Sequence, residues 1–148
     1  MNILLREKES SKWANFDTST FPLVKVTMNR NIDSDEEFTK FLEDWEDLYL
    51  KNQNFTLFFD TTNVGFVSMK YAFRMRSFIR RLKTKFPDLL ERSLIKVDSG
   101  WVRFLLRVIF TFEKPVADVY IHSGNEETIN YNIDALRKTP QGVIKIKK

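Results

Sequence analysis

Apolar residues along this chain change period several times, and the changes mark its elements. Phe55–Asp60 reads FTLFFD, a continuous apolar run of strand length, as for a strand buried on both faces. Ser68–Phe86 then takes a helical period, with Tyr71, Met75, Phe78, Ile79, Leu82 and Phe86 on one stripe. Pro87 stops it, because the residue before a proline avoids the helical region. Leu94–Val97 is again a short apolar strand, Gly100–Phe112 a helix, and Val116–Ile121 a strand opened by Pro115. Alternating strands and crossover helices predict an α/β domain with a largely parallel sheet.

Upstream, residues 3–6 and 23–28 (LVKVTM) read as opening strands, and the polar stretch between them, ended by Pro22, reads as loop. Asp33–Lys51 is a helix: Ser34 followed by Glu37 makes a capping box, and Phe38, Phe41, Leu42, Trp45 and Tyr49 recur at helical spacing. Downstream, Glu126–Arg137 reads as a last helix and VIKIK at residues 143–147 as an edge strand. The expectation is one domain, residues 1–148, with a mixed, mostly parallel five-stranded sheet flanked by helices.

Composition narrows the chemistry. The 148 residues contain no cysteine and one histidine, which excludes disulfides, thiolate ligands and cysteine nucleophiles. The net charge of +4 is too small to argue for nucleic acid, so distribution matters more than total. The opening MNILLREKESSKW lacks the features of a secretory signal. The longest apolar stretch, near Val102–Phe112, is short and interrupted by Arg103 and Arg107, so a soluble, intracellular protein is expected. Frequent Lys, Asn, Ile and Phe match proteins of AT-rich genomes, large DNA viruses among them.

Charge separates the helices. Lys70, Arg74, Arg76, Arg80, Arg81, Lys83 and Lys85 crowd the second helix without an acid. Such a face reads first as a solvated amphipathic helix, and it also suits phosphates of lipid or nucleic acid. Phe73 projects from this basic side, as an anchor would. The first helix has the opposite sign: Asp35, Glu36, Glu37, Glu43, Asp44, Glu46 and Asp47 face only Lys40 and Lys51. That opposition suits steering of a charged partner or head-to-tail self-association. The third helix is apolar almost all round, with Trp101, Phe104, Leu105, Val108 and Phe112 on one face and Val102, Leu106 and Phe110 on a second. In so small a domain one face is expected to stay partly exposed. The candidate binding surface is Phe73, Arg74, Arg76, Arg80, Arg81, Lys83, Val102, Arg103, Leu106 and Phe110.

No catalytic set comes together. His122 is alone, Gly65 belongs to no phosphate-binding motif, and no cofactor or metal is implied. Asp60, at the end of a central strand beside Thr61, Thr62 and Asn63, stands where α/β proteins place functional groups. The same residues also make an ordinary turn.

The run from FFDTTNV to KFPDLLERSLIKVDSGWVRFLLRVIF resembles the central part of CRAL-TRIO domains. Phe86-Pro87-Asp88 stands at their Tyr-Pro-Glu-like turn, Asp98-Ser99-Gly100 at their Asn-x-Pro-like loop, and Lys114–Ile121 at the following strand. The same order is similar to STAS domains, the anti-sigma-factor-antagonist type. The resemblance covers about half the chain and implies fold more than function. The sequence shows no counterpart of the helical bundle that precedes a CRAL-TRIO lipid pocket, so a closed lipid cavity is not implied. Ser68-Met69-Lys70-Tyr71 stands where STAS domains carry a phosphorylatable serine, and no phosphoserine switch is implied. The expected role is a non-enzymatic interaction module that binds a protein partner, a second copy or an anionic membrane surface through the second and third helices. The alternatives are a nucleic-acid-binding accessory protein and a small enzyme using Asp60.

Overall fold

The computed structural model describes residues 13–122 and 143–148. The strand expected at residues 3–6 and the helix expected at Glu126–Arg137 lie outside them. In chain order the elements are β1 (Ala14–Asp17), β2 (Leu23–Met28), α1 (Asp35–Asp47) with a 3-10 turn (Leu48–Lys51), β3 (Phe55–Asp60), α2 (Met69–Lys85), β4 (Leu90–Lys96), α3 (Gly100–Phe112), β5 (Asp118–His122) and β6 (Val143–Ile146).

The helix boundaries follow local chemistry. The Ser34 side chain accepts from the Glu37 N–H, and Asp35, Glu36 and Glu37 fill the first turn of α1, where the helix dipole favours acids. Ser99 caps α3 in the same way, accepting from the Val102 N–H. The 3-10 turn ends at Asn52 with φ 51°, a left-handed conformation that asparagine tolerates better than most residues.

The six strands lie in sequence order, β1-β2-β3-β4-β5-β6. Strands β2 to β5 are parallel, so Phe55–Phe59, Leu94–Val97 and Val116–Ile121 mark neighbouring parallel strands as expected. Both outer pairings are antiparallel, so the sheet is mixed rather than mostly parallel. The sixth strand is β1, which falls in a stretch expected to be loop. In it Ala14 is buried and Asn15 exposed, directly after fully buried Trp13.

Three successive right-handed crossovers stack the helices side by side on one face of the sheet. The buried residues of all three helices join Leu57, Phe59, Ile95, Val97, Val119 and Ile121 in one core. Phe58, Leu94 and Tyr120 form a second cluster on the opposite face. This two-sided burial explains why β3 is buried at every position from Phe55 to Phe59 and apolar at all but Thr56. Aromatic rings tie the main core together: Trp45 meets Phe59 at 5.0 Å and Phe78 at 5.1 Å, and Phe38 meets Tyr71 at 4.8 Å. Burying each such ring contributes roughly 1.5–3 kcal/mol.

The main core is not filled. A cavity of about 140 Å³ lies between helices and sheet, lined by Trp45, Phe59, Ala72, Ile95, Leu105 and Phe110 among others. A cavity of about this size holds a benzene-sized molecule.

Candidate functional site

The sequence placed a basic face on α2 and an acidic one on α1 as two surfaces open to partners. The structure turns them toward each other. Arg81 Nη2 lies 2.8 Å from Glu46 Oε2, and Lys85 reaches the same carboxylate at 3.5 Å. Lys70 pairs with Asp35 at 3.1 Å. Arg74 donates to Thr39 Oγ1 at 2.8 Å and packs its guanidinium over the Phe38 ring. Lys70 and the Tyr71 hydroxyl together hold the Asp35 carboxyl below its ordinary value. The cause is topological: consecutive crossovers leave α1 and α2 as neighbours, so their opposite charges meet within the chain.

The other flank of α2 is tied to α3. Arg80 Nε donates to Glu113 Oε1 at 2.9 Å, and Lys83 pairs with the second oxygen of the same carboxylate. Glu113 is buried, and these two cations lower its pKa. Six of the seven cations on α2 are therefore bonded within the chain, and Arg76 is the exception. Its Nε has no hydrogen-bond partner. Its guanidinium instead lies between two rings, 5.9 Å from the Phe73 centroid and 5.0 Å from that of Phe112.

That sandwich is one end of an aromatic seam along α2 and α3. At the other end Phe66 stacks on Trp101 at 6.0 Å with planes 9° apart, and Trp101 stacks on Phe104 at 5.5 Å. The Trp101 indole N–H donates to the Val67 carbonyl at 2.7 Å, and Ser99 Oγ donates to the Gly65 carbonyl at 3.0 Å. Asn31 Oδ1 accepts from the Gly65 and Phe66 N–H groups. The loop that presents Phe66 is thus fixed from both sides. Phe66, Phe73, Phe104 and Phe112 are 58%, 52%, 45% and 64% exposed, too much for core residues.

Seven of the ten residues of the expected surface need correction. Phe73 is exposed, and Arg76 and Arg103 are half-buried. Arg74, Arg80, Arg81 and Lys83 are bonded to α1 or Glu113. Val102 is buried, and Leu106 and Phe110 pack against the core beside the cavity. The sheet takes the Val102/Leu105/Ile109 face of α3 because α2 occupies its Trp101/Phe112 flank, which leaves Phe104 and Phe112 outside. Phe66 was missed altogether. Its signal was a bulky aromatic in a Gly-containing loop, where no core position is expected.

The Asp60 loop is closed on itself. Asp60 Oδ1 accepts from the Thr62 N–H at 3.0 Å and the Thr62 hydroxyl at 2.5 Å, and the Thr61 hydroxyl donates to the Lys96 carbonyl at 2.6 Å. Strand register sets Asp60, Lys96 and His122 side by side at the ends of β3, β4 and β5. Burial, and then the Lys96 charge, push the His122 pKa down. Among the described residues no three of His, Asp and Glu gather as metal ligands, and no helix is long and apolar enough to cross a membrane.

No protein-family model matches this chain, and no curated protein matches it. The seam is therefore read from its own chemistry.

Proposed function

We propose that this chain is a non-enzymatic interaction module that docks through the seam between α2 and α3, a role in keeping with its resemblance to CRAL-TRIO and STAS domains. The observation that carries this reading is the exposed Phe73–Arg76–Phe112 sandwich, continued by Phe66, Trp101 and Phe104. Solvent-facing aromatics clustered with an arginine are the composition of an interface centre. Monomeric surfaces scatter their apolar side chains singly, and a contiguous patch marks a contact site. The nucleic-acid alternative relies on the cations of α2, and six of those are already engaged within the chain. The enzyme alternative relies on Asp60, whose carboxylate closes its own turn.

Site-specific photo-crosslinking in cells tests this reading. A benzophenone side chain is placed at Phe73 or Phe112, and as a control at Leu50, which is 71% exposed and lies beyond the end of α1. Adducts formed from the two seam positions and not from Leu50 support the module. Equal labelling from all three, or none from the seam, overturns it.

A further inference from the structure

We infer that the partner of this seam is the surface of an anionic lipid bilayer, an inference that rests on the docking role proposed above. The argument is charge. Neither α2 nor α3 contains an acidic residue. Of the acids flanking these helices, Glu113 is buried and paired with Arg80 and Lys83, and Asp98 is exposed just before α3. Arg76, Arg103, Arg107 and Lys114 remain, and none forms an ion pair or side-chain hydrogen bond among the described residues. An outward surface on which cations outnumber acids is complementary to an anionic layer.

The arrangement of the rings adds to this. Trp101, Phe104, Val108 and Phe112 follow at helical spacing along the flank of α3 that faces α2, and Phe73 and Arg76 stand opposite them. Phe73, Phe104 and Phe112 are exposed on the two helices, and Phe66 is exposed on the loop before α2. They are placed to enter the boundary between headgroups and acyl chains while the arginines meet lipid phosphates, as in peripheral membrane anchors. The Arg76 guanidinium is already stacked between rings and has an unpartnered Nε.

The experiment uses the full chain and two kinds of vesicle, phosphatidylcholine alone and phosphatidylcholine with phosphatidylserine, read by flotation. Binding to the anionic vesicles is expected to exceed binding to the neutral ones by about tenfold or more and to weaken with salt. Two double variants are compared, each checked for native circular dichroism. Arg76→Gln with Arg107→Gln is expected to lower anionic-vesicle partitioning by about 25-fold, on the order of fivefold per cation. Phe73→Ser with Phe112→Ser is expected to abolish flotation while leaving the fold intact. Absence of flotation by the folded parent chain overturns the inference, as does flotation by both variants equal to that of the parent. If flotation fails while crosslinking from Phe73 yields a protein adduct or a dimer, the membrane inference falls and the docking seam stands. If both fail, both fall.

Discussion

Glu113, the residue that follows α3, holds Arg80 of α2 at 2.9 Å through its Oε1 and Lys83 through its other oxygen. One buried carboxylate thus fixes the spacing of the two helices whose outer edges form the aromatic seam. Glu113→Ala is expected to cost about 1 kcal/mol, a modest figure because both cations are partly solvated. The folded carboxyl is more acidic than the unfolded one. Its contribution is therefore complete above the ordinary carboxylate range and lost as pH falls through the lowered folded value. Urea titrations from pH 6 to pH 3 check this: Glu113→Gln should flatten the acid-side loss of stability.

His122 gives a second pH dependence in a different window. Burial makes the folded imidazole harder to protonate, so the unfolded chain takes up its proton first as pH drops below about 6.5. Stability from this group is complete above that value and declines below it. The His122→Asn variant is expected to lose part of the slope between about pH 7 and pH 5. An unchanged slope there would show that the Lys96–His122 neighbourhood is not what titrates.

The Phe73–Arg76–Phe112 sandwich should carry little of the folding energy. Phe73→Ala is expected to change stability by no more than about 0.5 kcal/mol, as exposed substitutions do. A double-mutant cycle of Arg76→Met with Phe112→Leu should give a coupling of about 0.5–1 kcal/mol, the range of an exposed cation–π contact. A loss above about 2 kcal/mol for Phe73→Ala would place the ring in the core.

The cavity between helices and sheet predicts opposite effects for two substitutions that line it. Leu105→Ala enlarges an existing void and is expected to cost about 3–5 kcal/mol. Ala72→Leu puts apolar volume into that void on a well-formed helix and is expected to raise stability by up to about 1 kcal/mol. Thermal unfolding of both variants checks the pair. Destabilisation by Ala72→Leu would show that the void cannot take a branched side chain at that point.

Sequence by itself determined what depends on neighbours along the chain. The helix Gly100–Phe112 was legible to the residue, because Ser99 caps it and nothing inside it breaks the helical period. The strand Phe55–Asp60, the Ser34 cap and the edge strand over VIKIK were legible for the same reason. Phe73 was assigned to the outside correctly, because the stripe of Tyr71, Phe78 and Leu82 left it no other side. Tertiary structure decided the rest. Strand β1 was hidden because Ala14–Asp17 is short and polar and becomes a strand only by pairing with β2. The charges of α1 and α2 looked like two surfaces, and only the crossovers that set those helices side by side turned them into one internal network. Val102, Leu106 and Phe110 were expected outside, yet on a helix apolar almost all round periodicity has no contrast to read. The face that α3 gives to solvent is fixed by where the sheet and α2 stand, and that position is set by packing far along the chain.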